Sequence, residues 1–334
     1  MTSLHVFGNQ VVVAEFFYFC GKESFEMFES IIIDTDLGSS TDDVVTICMA
    51  HTYMSRGKVD LLGIIVDRMG ERNAAFADVL NTYYGHGNVP IGLCRNGVQN
   101  PKIFTDYAHI AEKTRTDGSP LFARTQTVFD DDYKVYRKIL ASQPDKSVTV
   151  LSIGFLTSFA NLLTSSPDEY SELDGVTLVA QKIKRIIVMG GKFDETDKNG
   201  EYNIQQSGSF AAIFFRLLPP TIPVDYSPEL VGNALYWTKD EILQTLSHVA
   251  VHPLKQIYID CPEDPYQRMW DPLTIIQAVE GDDYFSWSPQ GTVTLQKDFT
   301  LTFSACRSGI SRYQKGGTEE QQMAWMSMIR KYIV

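Results

Sequence analysis

Ile31-Ile32-Ile33-Asp34-Thr35-Asp36-Leu37-Gly38-Ser39-Ser40-Thr41-Asp42-Asp43 is the stretch whose reading decides the fold. A β-branched run stops at an acid, and three more acids follow before Val44. The run predicts a buried strand, and Asp42–Gly57 predicts the helix that follows it. Gly38-Ser39-Ser40-Thr41 is then a strand-to-helix turn, with Ser40 or Thr41 as its candidate N-cap. In an open α/β sheet, ligands bind at such turns. No Lys or Arg occurs between Lys22 and Arg56, so nothing local neutralises the acids. Two carboxylates about 4 Å apart repel by roughly 4 kcal/mol at an effective dielectric near 20. The crowded turn therefore calls for a cation, and all-oxygen donors favour Ca²⁺ or Mg²⁺ over zinc. The plainer reading has Asp42 and Asp43 complementing a helix N-terminus, with Asp34 and Asp36 as turn residues.

The totals agree with a large globular core. The 334 residues are 44% hydrophobic and 21% charged, which is ordinary for a globular chain. A net charge of −12 argues against a nucleic-acid surface and suits a cation-holding site. Cys20, Cys48, Cys94, Cys261 and Cys306 are scattered, with no Cys-x-x-Cys pair. Reduced thiols are expected, hence a cytoplasmic location. No stretch has the roughly 18 uninterrupted apolar residues of a membrane span.

Outward from the acidic turn, strands and helices alternate. Val59–Asp67 and Val89–Cys94 read as strands, with Glu71–Tyr84 as the helix between them and Arg95-Asn96-Gly97 as a turn. This alternation predicts βαβ units and a mainly parallel sheet. Phe104–Pro120 reads as a loop, Asp130–Ser142 as a helix, and Val148–Ile153 and Ile183–Met189 as further strands. Ser209–Leu217 is helical, Thr221–Val224 a strand, and Lys239–Leu246 a helix start. Pro272 suits a first helical position, which puts Asp271 at the N-cap. Thr292–Leu295 and Thr300–Phe303 suggest a late hairpin before a terminal helix, Glu319–Tyr332. The sheet pattern runs from 31 to about 225, which favours one domain over 31–334. Residues 1–30 stand apart as an extension: Glu15 interrupts their apolar runs, and there is no signal-peptide pattern. An extra strand, a disordered leader and a remnant of another start site are its open readings.

These pieces resemble the nucleoside hydrolase family, the inosine–uridine-preferring type and its relatives. The resemblance spans about residues 31–305 and rests on segments in the right order. They are the acidic turn Asp34–Asp43, Leu62-Gly63-Ile64 with Glu71-Arg72-Asn73-Ala74, Ile153-Gly154-Phe155-Leu156-Thr157, Val188-Met189-Gly190-Gly191 with Glu201-Tyr202-Asn203-Ile204, and Trp270-Asp271-Pro272-Leu273. The resemblance implies a single-domain, open, mainly parallel, Rossmann-like α/β sheet flanked by helices. It also implies Ca²⁺-dependent cleavage of the N-glycosidic bond of ribonucleosides, with homodimers or homotetramers. Carried over by position, the metal ligands would be Asp36, Asp43, the Thr157 carbonyl and Asp271. Asp36 would also be the general base, and Asp42 would bind the ribose 2′-hydroxyl. Glu201 and Asn203 would hold the 5′-hydroxyl region. Asp67 falls where the family has a ribose-contacting Asn, in a segment shortened here. Asp34 would be a support behind the ligands, and the Met189 main chain would line the pocket.

The departures carry information too. The acidic turn is longer than the family's common form. Trp270 stands where many members place a proton-donating His. An indole supplies no proton at neutral pH, but it stacks on a base with about 1–3 kcal/mol. That exchange resembles the family's purine-specific branch. Ser207 replaces an acid that often follows the Asn-Ile segment. Among the histidines, His109 is the candidate proton donor. Two rivals are weighed: a non-catalytic nucleoside binder on the same fold, and a haloacid dehalogenase-like phosphatase. The phosphatase is disfavoured, since Gly38 stands where that family wants Thr or Val.

Overall fold

The computed structural model describes residues 28–98, 106–193, 199–261 and 268–334. Of the extension expected over 1–30, residues 1–27 lie outside that set, and Glu29 and Ser30 open the first strand. Strands run as β1 (Glu29–Thr35), β2 (Val59–Arg68), β3 (Ile91–Val98), β4 (Asp130–Asp131), β5 (Val148–Ser152), β6 (Ile183–Met189), β7 (Val224–Ser227), β8 (Gly291–Leu295), β9 (Leu301–Ala305) and β10 (Ser311–Tyr313). Among the described residues they form one sheet in the order β4-β3-β2-β1-β5-β6-β7-β10-β8-β9. Pairing is parallel from β4 through to β10, and antiparallel where β8 meets β10 and β9.

Chain order reverses at the β1/β5 boundary. From β1 the chain moves outward through β2 and β3, then returns to β5 on the other side of β1. A crevice opens at such a switch point, beyond the strands' carboxyl ends. Ile31 and Ile33 pack into the core on one face of the sheet and Ile32 into the core on the other. Both faces are covered, so the run is continuously apolar rather than alternating. The helix Asp42–Ser55 is buried from Asp42 through Tyr53, apolar on nearly every side below its acidic first turn. No helix of the described residues is long and apolar enough to cross a membrane.

Several element boundaries differ from expectation. Arg95-Asn96-Gly97 lies inside β3, because pairing with β2 resumes after a register shift and reaches Arg68 opposite Val98. The strand expected at Thr221–Val224 is displaced to Val224–Ser227. Pro219, Pro220 and Pro223 precede it, and proline offers no N–H to a ladder. Phe104–Pro120 carries a short 3₁₀ turn, Ala108–Glu112, whose Ala108, Ile110 and Ala111 are buried. The sheet does not stop near residue 225: β10 joins β7 and brings the predicted β8–β9 hairpin with it. The helices Gly175–Lys182, Glu229–Asn233 and Pro253–Asp260 have no counterpart in the sequence reading.

The turn after β5 is pressed against the end of β1. Ile153 and Gly154 donate their backbone N–H groups to the Asp34 carbonyl at 2.7 and 3.2 Å. A Cβ on Gly154 would sit 2.7 Å from the Thr35 carbonyl carbon, nearer still to the Asp36 nitrogen, and 2.9 Å from Asp67 Oδ2. The obstruction is backbone, which cannot swing aside. Gly154→Ala is therefore expected to destabilise the chain by about 3 kcal/mol or more, at the upper end of overpacking costs. A urea-unfolding midpoint within error of the parent would contradict this close approach.

Candidate active site

A cavity of about 190 Å³ opens at the switch point. Asp36, Ser40, Asp42 and Asp43 reach it from the turn after β1, Ile153 from the end of β5, and Met189 from the end of β6. Glu201, Tyr202 and Asn203 close one side, and Glu229, Trp270 and Asp271 the other. The walls thus come from segments spread over more than two hundred residues, gathered by parallel strands that all end at one edge.

Asp42, Asp43 and Asp271 each bring a carboxylate oxygen within 4.8 Å of the others. All three are buried, with 2%, 1% and 3% of their surface exposed. Asp42 ties the early motif to the late one: its Oδ2 accepts from the backbone N–H of Trp270 at 3.2 Å and of Asp271 at 3.3 Å. The Ser40 hydroxyl also donates to Asp42, and the Thr35 hydroxyl to Asp43. Asp271 holds the N-cap position of Pro272–Glu280, yet its side chain caps nothing. Thr41 likewise occupies the N-cap of Asp42–Ser55 without capping, its hydroxyl lying 2.8 Å from Tyr258 Oη. These acids are spared from routine helix duty and turned to the cavity.

Burial raises every one of these carboxyls. It pushes Asp42 up to about 6, against the Ser40 hydroxyl and the Asp271 N–H that pull it down. Asp43 and Asp271 go well above the usual carboxylate range, through burial first and neighbouring carboxylates second. Asp36 is raised by burial and restrained by Arg68. Three crowded carboxylates with all-oxygen donors fit a hard divalent cation, which would offset their repulsion.

The wall opposite the acidic turn is tightly built. Glu201 caps the helix Tyr202–Ser207, accepting from the N–H groups of Asn203 at 2.8 Å and Ile204 at 3.0 Å. Burial lifts it to about 7. Asn203 Nδ2 donates to the Ile153 carbonyl at 3.2 Å, which fixes its distance from the β5 turn. Ser207 bridges the same two segments: its hydroxyl donates to the Asn203 carbonyl and accepts from the Leu156 N–H. Trp270 is pinned, its Nε1–H donating to Asn233 Oδ1 at 2.9 Å and its ring packed on Gly232, where a Cβ would collide with it.

Thr157 is buried in the first turn of Thr157–Leu163 and does not line the cavity; Ile153 is the residue of that junction that does. Asp67 is fully buried at the end of β2 and is not part of the cavity lining either. Burial first, and then the charge of Asp34, push Asp67 well above the usual carboxylate range. Asp34 also sits behind the cavity, accepting from Tyr136 Oη at 2.7 Å. The carboxylate oxygens of Asp42, Asp43 and Asp271 converge within 4.8 Å of one another, and Asp36 faces the same cavity, its charge raising the proton affinity of all three. His109 is exposed and lies outside the lining, with Nδ1 3.0 Å from the Asp106 carbonyl.

Arg68 is the residue sequence reasoning missed. Its Nη2 donates to Asp36 Oδ2 at 2.7 Å and its Nε to the Asp36 carbonyl at 2.7 Å. The neutralising charge comes from 32 positions away, across the β1–β2 pairing, where a local scan for Lys or Arg does not look. Its signal was a basic residue directly after the acid that ends a predicted strand. Tyr202 and Glu229 also line the cavity unanticipated.

The fold and site define a nucleoside-hydrolase-type α/β protein. The chain belongs to the inosine-uridine preferring nucleoside hydrolase family, whose profile matches residues 31–324. The family comprises N-ribosyl hydrolases and is generally metal-dependent. Solved structures share the fold at low identity. The inosine-uridine preferring nucleoside hydrolase of Bacillus anthracis superposes with a TM-score of 0.68 at 14% identity, covering 91% of this chain and 100% of that one. A purine-preferring ribonucleoside hydrolase from Gardnerella vaginalis gives 0.64 at 16%, covering 91% and 99%. The type III effector XopQ, solved with adenosine diphosphate ribose, gives 0.58 at 16%, covering 92% and 94%. No curated protein is significantly similar in sequence.

A proton and a cation compete for the same carboxyls. Groups whose folded pKa is raised contribute stability while protonated and lose it as pH climbs through that pKa, about 6 for Asp42. The rise in melting temperature produced by saturating Ca²⁺ over chelator should therefore be small at about pH 5 and grow toward about pH 8. Paired thermal melts check this, and an increment that is flat or larger in acid would count against a carboxylate-held ion.

Proposed function

We propose that the chain hydrolyses the N-glycosidic bond of ribonucleosides to ribose and free base, with Ca²⁺ as its ion and purines as preferred bases. The observation that carries this reading is the buried trio Asp42, Asp43 and Asp271 facing a cavity that also holds Asp36 and Trp270. Cleavage of the glycosidic bond develops positive charge on the ribose. The carboxylate-lined wall stabilises that charge as it forms. A divalent ion held by Asp42, Asp43 and Asp271 would supply Lewis acidity toward water and the ribose diol.

The chain's own groups do the rest. Asp36 faces the cavity with Oδ2 held by Arg68, which leaves Oδ1 to take the proton of the attacking water. Asp42, beside the same diol, accepts from the 2′-hydroxyl. Glu201 and Asn203 receive the 5′ end, on a wall already fixed by the Ile153 carbonyl. Trp270, immobilised by Asn233 and Gly232, presents an aromatic face to the base at little entropic cost. With no cavity-lining His among the described residues, the departing purine takes its proton from solvent. Among the described residues Cys48, Cys94 and Cys306 are free thiols, which supports a reducing, cytoplasmic setting. Family analogy supports a homodimer or homotetramer.

A second reading is binding of a ribose-containing ligand without turnover. The Arg68–Asp36 ion pair favours it, because a carboxylate bound to a guanidinium is a weaker base. The effector structure holding adenosine diphosphate ribose is in keeping with it. A panel of nucleosides with Ca²⁺ or chelator, scored both for binding and for released base, separates the two. Tight binding with no base released would replace hydrolysis by the second reading.

Within the hydrolytic reading, Asp36→Asn should abolish turnover, with kcat down about a thousandfold or more, in the upper range of general-base effects. Wild-type rates in that variant would remove Asp36 as the base. Inosine or guanosine should exceed uridine in kcat/KM, and Trp270→Ala should lower the purine value about tenfold, within the range for one lost stacking contact. A uridine preference, or an unchanged purine rate in Trp270→Ala, would overturn the stacking role.

A further inference from the structure

Leu37-Gly38-Ser39-Ser40-Thr41 separates Asp36 from Asp42, and all of it but Ser40 is buried. Among the described residues, no backbone hydrogen bond joins two members of 37–40. A buried turn that does not bond to itself must find its partners elsewhere. Tyr107 supplies two of them. Its Oη accepts from the Gly38 N–H at 3.0 Å and donates to the Ser40 carbonyl at 2.7 Å. A hydroxyl donates and accepts at one point, so a single atom closes the turn across Ser39.

The tyrosine is itself anchored. It is fully buried, and its ring meets Phe76 edge-on at 5.3 Å between centroids. It directly precedes the 3₁₀ turn Ala108–Glu112, and Lys113 just beyond that turn binds Asp260 at 2.5 Å. Asp260 ends the helix Pro253–Asp260, whose Tyr258 meets the Thr41 hydroxyl, so the acidic turn is gripped by two segments that are tied to each other. On the cavity side, the Ser40 hydroxyl donates to Oδ1 of Asp42. The other oxygen of Asp42 takes the N–H groups of Trp270 and Asp271. Tyr107 stands outside the cavity lining and reaches Asp42 through Ser40.

We infer that Tyr107 is a positioning residue: its hydroxyl braces the lengthened turn at Gly38 and Ser40, and through the Ser40 hydroxyl it fixes Asp42 for the ribose 2′-hydroxyl. This role rests on the hydrolytic reading above, in which Asp42 accepts from that hydroxyl. Hydrogen bonds to the 2-hydroxyl strengthen in the transition state of glycosyl transfer. A loosened Asp42 therefore costs kcat more than KM, and it costs only a substrate that carries the hydroxyl. A merely structural tyrosine would not distinguish ribose from 2′-deoxyribose.

The test is steady-state kinetics of the full chain with Ca²⁺ on inosine and 2′-deoxyinosine, in Tyr107→Phe, Ser40→Ala, the double variant and Tyr84→Phe. Where 2′-deoxyinosine turns over too slowly, its inhibition constant against inosine is read instead. Tyr107→Phe keeps the ring and should lower kcat/KM for inosine about tenfold or more, mainly in kcat. Its value for 2′-deoxyinosine should stay within about twofold of the parent, so the preference for ribose shrinks. Ser40→Ala should do the same, and the double variant should lose no more than the worse single variant, within about twofold, because both act on one contact. Tyr84 Oη donates to the Ile333 carbonyl, far along the chain from the turn, and Tyr84→Phe should leave both substrates unchanged. An equal fall on the two nucleosides, no fall on inosine, or losses that multiply in the double variant would overturn the inference. Ser40→Ala alone keeps it refutable if Tyr107→Phe does not fold, since an equal loss on both nucleosides, or none, breaks the link to Asp42. If the parent releases no base from inosine, the hydrolytic reading falls and takes the inference with it. If the parent cleaves inosine and Tyr107→Phe keeps the full ribose preference, that reading stands and the brace alone is refuted.

Discussion

Mutual repulsion among buried carboxylates is the constraint on which the rest of this structure depends. Asp36, Asp42, Asp43 and Asp271 meet where the chain order reverses in the sheet, all with little exposed surface. Burial makes each charge costly, and proximity makes each more costly because of the others. The surroundings answer this in three ways. Backbone N–H groups of Trp270 and Asp271 and the hydroxyls of Ser40 and Thr35 are aimed at the acids. Arg68 neutralises Asp36. The remaining trio is left in a geometry that suits a hard cation.

The scaffold that imposes this crowding is a sheet packed on both faces. Parallel strands terminate at a common edge, so every strand-to-helix turn near the switch point faces the same space. Ile31, Ile32 and Ile33 lock β1 between two cores, and the turn after β5 presses on its end through Ile153 and Gly154. Little slack is left for the acids to move apart. A site assembled in this way is held by packing far from its chemistry, which is why a single methyl at Gly154 bears on it.

Much of this architecture was legible because period and punctuation were strong. The β-branched run, the acidic stop and the following helix announced β1 and the turn, and the alternation of strands and helices announced the parallel sheet. The late pairing of Asp271 with Pro272 announced a helix start in the right place. Less legible was anything set by strand registry. Arg95–Gly97 carries turn-type residues, yet pairing with β2 draws it into β3. Thr221–Val224 has strand propensity, but its prolines push the ladder downstream. Asp67 matches a ribose-contacting position by order along the chain, and the structure buries it at the end of β2, outside the cavity lining.

By itself, the amino-acid sequence determined the fold class, the acidic turn and the resemblance to nucleoside hydrolases, because these rest on local periodicity and on residue types in a fixed order. Which acids share an ion-sized space, and which one already has a counter-charge, was decided only by tertiary structure. The neighbour of Asp36 is Arg68, and the neighbour of Asp42 is the backbone at Trp270 and Asp271, each supplied by a different strand or loop. Coulomb energies depend on distance in space and on burial, and neither is written in the spacing along the chain.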